Sequence, residues 1–252
     1  MSIKTLVMIP TYNEVDNVAK LAGRILNLSL PCDILFIDDD SPDLTGIKLD
    51  AIKGMYRSEG TNSIQVIHVI HRSGKLGVGS AHKVGITYAY KNGFDYLITM
   101  DCDGTHDPAD IPEFIHCARS NICDVVVGSR HILAGSLEGW SLWRKFVTNM
   151  GHLLTKLLLG MPYDATGAFR LYNLNTIPMG IFNKVQRDDY GFFFESLTIL
   201  HTNLFRIAEV PIILAARSAG HSKLKTPDLI ASLLFMAKMR YYLWFDRQKV
   251  LR

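Results

Sequence analysis

Two aspartates that flank a single cysteine, Asp101 and Asp103, are the side chains of this sequence best suited to chemistry. They follow an apolar run at 96–100 that has the composition of a buried strand. Side chains at positions i and i+2 of a strand point to the same face, so both carboxylates can reach one site. Two hard oxygen donors that leave room for water and phosphate oxygens suit Mg²⁺ or Mn²⁺. The pattern therefore predicts a divalent cation site, with a polar turn before a helix at Pro108 as the alternative.

Three other patterns in the sequence offer alternative metal, phosphate or nucleophile sites. Residues 101–105 match the DxDGT loop of haloacid-dehalogenase-like phosphatases, in which the first aspartate is the nucleophile. That loop follows the first strand of its fold, whereas here two predicted strands come earlier, so the order of the elements argues against it. The glycine-rich segment 74–80 fits neither GxxxxGK[ST] nor GxGxxG and predicts a loop that opens a helix with free N–H groups. His68 and His71 lie at helical spacing in a strand-like run, which disfavours a shared zinc ion.

Short apolar runs alternate with helix-length segments through the first half of the chain. Strands are predicted at 5–9, 34–37, 64–70, 96–100 and 125–128, and helices at 17–28 and 80–91. Such alternation favours right-handed βαβ crossovers, which give an α/β fold with a mainly parallel sheet flanked by helices. Ligands of these sheets bind beyond the carboxyl ends of the strands. Polar clusters follow the strands at these ends, so we expect the site at that edge.

The alternation weakens after about residue 130. A basic stretch with tryptophans, an aromatic segment at 190–194, one clear strand at 206–214 and a C-terminal helix follow. We interpret the chain as one domain over 1–252, made of a nucleotide-binding half at 1–128, an acceptor-side half at 129–225 and an amphipathic C-terminal helix at 226–252.

The composition limits the class of protein. With 252 residues, 48% of them hydrophobic, and a net charge of +3, the chain can bury a large core and is not disordered. The charge is too small to indicate nucleic-acid binding by itself. No apolar stretch reaches the roughly 20 residues of a membrane span, and the first residues leave no room for a secretory signal. The four cysteines lack metal-binding spacing, so we expect reduced thiols, as in cytosolic proteins.

A series of short motifs occurs in a definite order along the chain. The motifs are IPTYNE at 9–14, DDDSPD at 38–43, KLGVGSA at 75–81, MDCD at 100–103, GSR at 128–130, GW at 139–140 with Arg144, DATGAFRLY at 164–172, EVPI at 209–212 and GHSK at 220–223. The set covers residues 4–225 and resembles the family 2 glycosyltransferases of the GT-A (Rossmann-like) fold. Within that family it is most similar to the dolichol-phosphate, or polyprenol-phosphate, mannosyltransferases.

The resemblance implies roles for individual residues. The residues implied to line the nucleoside pocket are Pro10, Tyr12, Glu14, Ile37 and Asp39. The metal and the donor diphosphate would be held by Asp101, the backbone at Cys102, and Asp103. The phosphate sites would be completed by Arg130, Arg217 and Lys223, the last two on the donor side. The acceptor phosphate would be faced by Arg130 and by Arg144 and Thr148, which lie one helical turn apart.

The sequence departs from the family pattern at several positions. Thr105 stands where relatives often have Gln or Ser as a further ligand on the metal side, and Gly104 replaces a usual Leu. Ala216 stands where an Asp often precedes the arginine, and Phe193 where some relatives have a polar residue. The resemblance therefore does not supply a third metal ligand or every acceptor contact.

The chemistry of sugar transfer fits these residue types. A leaving nucleoside diphosphate develops negative charge, which a divalent cation between its phosphates neutralises. A phosphomonoester acceptor is largely ionised near pH 7, because its second pKa lies at about 6, so its site needs cations more than a strong base. We expect metal-dependent, inverting transfer of a hexose to a polyprenyl or dolichyl phosphate. The favoured sugar is mannose, with GDP-mannose as the donor. The expected catalytic residues are Asp103, Arg130 and Arg144.

Two alternatives stay open at this point. The same fold could use a UDP-sugar or a saccharide acceptor, whose hydroxyl group would need a base from Asp188, Asp189 or Glu195. The chain could instead be a catalytically silent nucleotide-sugar-binding subunit of a membrane complex. The intact DxD motif and the arginines argue against a silent subunit.

Two segments could bring the protein to a lipid acceptor. Residues 229–245 mix aliphatic, aromatic and basic side chains, which suits a helix in the headgroup region; the alternative is a helix packed on the sheet. The segment 137–143 carries two tryptophans near basic residues and could also touch lipid. We expect a peripheral protein at the cytoplasmic face of a membrane, held there directly or by a small membrane-embedded partner.

Overall fold

The structure, a computed structural model, describes residues 3–58, 65–120, 123–137, 139–215 and 226–251. Within these residues seven strands form one sheet in the order β3-β2-β1-β4-β6-β5-β7. The strands are β1 (Thr5–Thr11), β2 (Asp33–Asp38), β3 (Ile67–His71), β4 (Tyr96–Thr99), β5 (Val125–Ser129), β6 (Arg170–Asn173) and β7 (Ile207–Pro211). The α-helices are α1 (Val18–Leu26), α2 (Thr45–Ser58), α3 (Val78–Lys91), α4 (Ile111–Ser120), α5 (Leu142–Leu159), α6 (Met179–Phe182), α7 (Gly191–Thr202) and α8 (Thr226–Phe245).

The sheet is parallel except at β6, which runs antiparallel to both of its neighbours, β4 and β5. This mixed, mainly parallel sheet flanked by helices confirms the predicted fold class. The sequence did not predict β6, because Arg-Leu-Tyr-Asn contains no apolar run. Arg170 is nevertheless fully buried, and its guanidinium donates to the carbonyls of Phe193 and Ala165, both at 2.8 Å. These bonds tie β6 to the start of α7.

The predicted strands are all present, with ends that differ from the prediction by at most three residues. The prediction that β1 stops before Pro10 is wrong, because the strand continues to Thr11. Strand β4 pairs with β1 only as far as Met8, so Pro10 lies beyond that ladder. A proline can continue a strand where its missing N–H costs no ladder bond.

Both faces of the sheet are buried. Successive side chains of a strand alternate between the two faces, so each strand contributes to both cores. On one face Met8 and Leu35 belong to a core shared with α3, α7 and α8. On the other face Val7 and Phe36 belong to a core shared with α1 and α4. This arrangement leaves the strand ends as the place where polar side chains meet.

The helices of the second half are apolar on more than one side. Every residue of α7 from Gly191 to Leu200 is buried. Helix α8 buries Phe235, Met236 and Met239 in the core, while its outer side is also apolar. The C-terminal helix is therefore present as predicted, but it lacks the separate polar face that the term amphipathic implies. Among the helices that the structure describes, none is long and apolar enough to cross a membrane.

Candidate active site

Two cavities lie at the carboxyl ends of the strands, and they share Asp101 and Tyr190 as a common wall. The first has a volume of about 330 Å³ and is bordered by the residues that follow β1, β2 and β4. The second has a volume of about 490 Å³ and lies between β5, α5, α7 and α8. A ligand in one cavity can therefore contact a ligand in the other beside Asp101.

The first cavity contains most of the predicted nucleoside pocket. Pro10, Tyr12, Glu14 and Asp39 all line it, together with residues that the prediction did not name, among them Lys75. The Lys75 ammonium lies 4.2 Å from the centre of the Tyr12 ring, a cation–π contact that holds the ring in place. An aromatic face beside a cation suits a purine or pyrimidine base.

Ile37 does not belong to this pocket, contrary to the expectation. Its side chain is fully buried and belongs to the core beneath the sheet. The reason is its position within β2, where it pairs with Pro10 and Ile70, whereas Asp39 lies past the strand end. The polar edge of the sheet begins one residue after Ile37.

Asp39 forms a buried ion pair with Arg72, whose Nη1 lies 2.7 Å from a carboxylate oxygen. Burial raises the pKa of Asp39, and the Arg72 charge opposes that rise. Arg72 also donates from Nη2 to the Ser80 hydroxyl at 2.6 Å, which joins the ends of β2 and β3 to α3. The prediction missed Arg72, although its position two residues after the predicted strand at 64–70 was a signal for the same edge.

The glycine-rich loop before α3 serves close packing. Gly77 has a φ of +97°, and a Cβ atom there would lie 2.3 Å from the Asp188 carbonyl oxygen. A Cβ atom at Gly79 would lie 2.7 Å from that of Phe192. The prediction of free N–H groups is wrong at Ser80, whose N–H donates to the Asp188 carbonyl at 3.1 Å. The glycines thus let the chain before α7 close one side of the first cavity.

Asp101 and Asp103 both line the first cavity. Strand β4 ends at Thr99, so the side-by-side placement does not come from strand alternation as the prediction argued. A turn orients Asp103 instead: its Oδ1 accepts hydrogen bonds from the backbone N–H and the hydroxyl of Thr105, at 3.1 and 2.7 Å. Gly104, with a φ of +79°, allows this turn.

The donor set at this wall fits a cation that substrate completes. Among the described residues, no group of three or more His, Cys, Asp or Glu side chains could hold a metal ion. Two carboxylates beside an open cavity leave positions for diphosphate oxygens and water, as Mg²⁺ and Mn²⁺ prefer. His68 and His71 instead contact Asp33 and Asp50 separately, at 3.5 and 3.1 Å.

Asp101 has a further neighbour that the prediction did not name, His106. The backbone N–H of Asp101 donates to His106 Nδ1 at 2.9 Å, and the imidazole is 4% exposed. Its ring lies 5.0 Å from that of Phe169. Burial lowers the pKa of His106 to about 4, although the nearby Asp103 carboxylate raises it. The imidazole is therefore neutral near pH 7.

Arg130 lines the second cavity but is held by Asp164. Its Nε and Nη2 donate to the two oxygens of that fully buried carboxylate, at 2.7 and 2.6 Å, and Nη2 also donates to Thr166. Burial alone would raise the pKa of Asp164, but the Arg130 charge and hydrogen bonds hold it well below its usual range. Asp164 belonged to a quoted motif, but no role was predicted for it.

The predicted pair Arg144 and Thr148 lines the second cavity from α5. The Arg144 guanidinium lies 4.3 Å from the Trp140 ring centre, and the Trp140 indole N–H donates to the Ala215 carbonyl at 3.2 Å. The structure thus brings Arg130, Arg144 and Thr148 to one cavity. Two further predicted phosphate-binding residues, Arg217 and Lys223, lie outside the described residues, as does the departure at Ala216.

The three carboxylates considered as bases have other partners. Glu195 is buried and accepts hydrogen bonds from the N–H groups of Gln186 and Arg187, at 2.9 and 2.8 Å. Asp188 pairs with Lys83 at 2.9 Å. Asp189 pairs with Arg187 and accepts from the N–H of Gly191 at the start of α7. Of these carboxylates, Asp189 lines the first cavity, whereas Asp188 and Glu195 line neither of the two cavities described above.

The mixed, mainly parallel sheet with an aspartate-lined cleft at the carboxyl ends of its strands is the fold of the GT-A glycosyltransferases. The chain belongs to glycosyl transferase family 2, whose family model matches residues 6–180. The predicted family resemblance is thereby confirmed.

Two relatives are similar over most of this chain. An undecaprenyl-phosphate mannosyltransferase of Micrococcus luteus is 33% identical over 224 residues, which are 88% of each chain. A polyprenol monophosphomannose synthase of Mycolicibacterium smegmatis is 29% identical over 237 residues, 93% of this chain and 86% of the relative.

Solved structures share the fold. Glucosyl-3-phosphoglycerate synthase from Mycobacterium tuberculosis, in complex with Mn²⁺, UDP and glucosyl-3-phosphoglycerate, has a TM-score of 0.64 at 17% identity, over 94% of this chain and 80% of that one. A mannosyltransferase from Pyrobaculum calidifontis, in complex with GDP-Man and Mn²⁺, has a TM-score of 0.52 at 12% identity, over 99% and 72%.

Proposed function

We propose that the protein transfers mannose from GDP-mannose to a polyprenyl phosphate, with a divalent cation and with inversion at the anomeric carbon. The observation that carries this proposal is the junction of the two cavities at Asp101. One cavity has the acidic and aromatic lining that suits a nucleotide sugar and a cation. The other has arginines set among apolar side chains, which suits an anionic lipid. The names of the two curated relatives support the same pair of substrates.

On the donor side, Asp101 and Asp103 would hold Mg²⁺ or Mn²⁺. When bound, the cation supplies charge neutralisation for the leaving diphosphate. Tyr12 and Lys75 would position the base, and the Asp39–Arg72 pair keeps the floor of the cavity rigid. The Thr105 bonds fix the Asp103 carboxylate before any ligand binds, so little reorganisation is needed.

On the acceptor side, Arg144 and Thr148 would bind the phosphate from α5, with Arg130 opposite them. An ionised phosphate oxygen can attack without a strong base, and the carboxylates considered for that role already have structural partners. Trp143, Val147 and Met236 add apolar walls that would contact the first prenyl units.

The position of the acceptor cavity also favours a membrane surface over a soluble acceptor. Helices α5 and α8 pack together, and Arg240 of α8 donates to the Leu158 carbonyl of α5 at 3.1 Å. Both helices line the second cavity and carry exposed apolar side chains. We name these side chains the outer apolar surface: Leu142, Trp143, Phe146, Leu153, Leu157, Ile230, Leu233, Leu234, Tyr241, Trp244 and Phe245. Basic side chains lie among them, which suits an anionic, cytoplasmic membrane face.

The test is a donor panel. The protein is incubated with GDP-mannose, GDP-glucose, UDP-glucose or UDP-N-acetylglucosamine, Mn²⁺ and either a short polyprenyl phosphate or a free saccharide, and the products are weighed by mass spectrometry. We expect one hexose added from GDP-mannose, and no product with Asp103→Asn, whose amide oxygen can still accept both hydrogen bonds from Thr105. Transfer from UDP-sugars only would contradict the donor assignment. Hexose on a saccharide but not on the lipid would contradict the acceptor assignment, and no transfer from any donor would favour a silent binding subunit.

A further inference from the structure

His106 stands at the boundary between the two cavities. Its ring lines the second cavity, and its Nδ1 lies 2.9 Å from the backbone nitrogen of Asp101, which lines both. The ring is otherwise enclosed, with Phe169 on one face and Phe114 stacked behind Phe169 at 4.4 Å. Such packing fixes the plane of the imidazole.

The hydrogen bond to Asp101 determines the tautomer of His106. A backbone N–H can only donate, so Nδ1 must present a lone pair. The proton of the neutral ring is therefore on Nε2, which makes Nε2–H the one polar hydrogen that this side chain can offer to the second cavity. His82 has the opposite arrangement, because its Nδ1 lies 2.8 Å from the Val78 carbonyl oxygen and must be the protonated nitrogen there.

We propose that His106 binds the acceptor, by donating a hydrogen bond from Nε2–H to an oxygen of its phosphate. This inference rests on the proposed function, since it takes the second cavity as the site of a phosphomonoester. Arg130 and Arg144 supply charge in that cavity, whereas His106 supplies a directed neutral donor on the side nearest Asp101. A phosphate oxygen held there lies beside the donor cavity, where attack on the sugar must start.

The two nitrogens of His106 can be tested separately. The amide of an asparagine reaches about as far as Nδ1, so His106→Asn can still accept from the Asp101 N–H but offers nothing at the Nε2 position. The amide of a glutamine reaches about as far as Nε2, so His106→Gln keeps a hydrogen-bond donor in the cavity. It can no longer accept the hydrogen bond from the Asp101 backbone N–H. Both variants are first checked for wild-type thermal melting.

The measured quantities are the KM for a short polyprenyl phosphate, the affinity for Mn²⁺ with GDP, and binding of the matching polyprenol. For His106→Asn we expect a rise in the KM for the phosphate of about 10- to 100-fold, the cost of one hydrogen bond to a charged group. Its Mn²⁺ and GDP affinities and its binding of the alcohol should stay within about twofold. His106→Gln should show the reverse pattern, with weaker Mn²⁺ binding and a KM within about threefold.

The outcomes separate this inference from the proposed function. If the wild-type protein binds the phosphate no better than the alcohol, the proposed function fails. If the wild type discriminates but His106→Asn keeps its KM, the role of His106 is overturned. Where the variants do not fold, NMR spectra of the wild-type protein labelled with ¹⁵N-histidine test the proposal instead. A ring N–H resonance should shift when the phosphate is added and not when the alcohol is added. The absence of any such shift would also overturn the proposal.

Discussion

At the scale of single residues, the structure gives different partners to side chains for which the sequence predicted the same role. Arg130 and Arg144 both suggested a phosphate site, yet Arg130 neutralises a buried carboxylate while Arg144 stacks on an indole ring. Removing Arg130 would leave Asp164 as an uncompensated buried charge, so activity lost on that change would not measure phosphate binding alone. Arg144 is the better probe, because the Asp164 carboxylate keeps its Arg130 partner when Arg144 is changed.

The first prediction concerns Arg144. Arg144→Ala should raise the KM for the polyprenyl phosphate by about 10-fold or more, the value of a charge-assisted hydrogen bond. The dissociation constant for GDP-mannose should change by less than about twofold. Steady-state kinetics with both substrates varied would measure both quantities. Lys145→Ala is the matched control, because Lys145 follows Arg144 directly in the same turn of α5 and does not line the cavity; equal effects of the two variants would count against the assignment.

At the scale of secondary-structure elements, the sequence predicted the strands that are marked by apolar runs. Apolar runs located β1 to β5 and β7, and polar residues after each strand located the edge that holds the site. Among the elements that the sequence did not predict, β6 and α7 have burial that does not follow a simple apolar pattern. Strand β6 contains the buried Arg170, whose partners are carbonyl groups distant in sequence. Helix α7 is apolar on all sides and therefore shows no helical period.

The second prediction concerns the loop before α3. Gly77→Ala forces a positive φ on an alanine and brings its Cβ against the Asp188 carbonyl, so the chain before α7 must move. We expect a loss of about 2 kcal/mol or more in the free energy of unfolding, together with weaker GDP-mannose binding. Urea unfolding and calorimetric titration measure these effects. Gly74→Ala in the same loop meets no atom within 4 Å and should change stability by less than about 0.5 kcal/mol.

The third prediction concerns the outer apolar surface. Deleting α8 would not be informative, because Phe235 and its neighbours form part of the core. Leu157→Ser and Leu234→Ser instead change side chains that are 64% and 69% exposed. Each should weaken binding to anionic liposomes by about 10-fold, as expected for one leucine no longer buried in lipid.

The control for the outer apolar surface is Ile47→Ser, since Ile47 is 68% exposed on α2 and lies outside that surface. Sedimentation with liposomes measures all three variants. Binding that is undiminished in both leucine variants would show that this surface does not contact lipid. An equal loss in Ile47→Ser would point to a nonspecific effect of reduced hydrophobicity.

At the scale of the whole molecule, residues from both halves of the chain line the two cavities, which adjoin at Asp101. The resemblance implied both substrates and some of the residues that line the two cavities, because its motifs are local in sequence. It did not supply the partners that hold those residues, such as Arg72 for Asp39 and His106 for Asp101, since these contacts depend on the packing of separate elements. Ile37 shows the opposite error. It directly precedes the DDDSPD motif, but its position in β2 directs its side chain into the core.

The fourth prediction is a dependence of stability on pH through His82, which lies in the interior of the molecule. Burial lowers its pKa to about 4, against about 6.5 in an unfolded chain. Between these values the unfolded chain binds more protons, so the stabilisation is complete above about pH 6.5 and is lost as the pH falls towards 4. The loss from this one group is on the order of 3 kcal/mol.

His82→Asn, which can still donate to the Val78 carbonyl, should therefore flatten the pH dependence of unfolding between pH 6.5 and 4.5. The slope should fall by up to about 1.4 kcal/mol per pH unit. Urea unfolding at a series of pH values measures it, and the exposed His116→Asn serves as control. Identical slopes for His82→Asn and the wild type would mean that the buried ring does not titrate as described.

The central claim is that a cation held by Asp101 and Asp103 assists the transfer of mannose to a phosphate in the adjoining cavity. Its most direct test is the initial rate of mannosyl transfer from GDP-mannose to a short polyprenyl phosphate, measured in EDTA and then as Mn²⁺ is restored. We predict no transfer in chelator, saturable recovery with Mn²⁺ for the wild type, and at least a 100-fold lower rate for Asp103→Asn at every concentration, as expected when electrostatic stabilisation of the leaving group is lost. Full activity in EDTA, or a wild-type rate in Asp103→Asn, would contradict the claim.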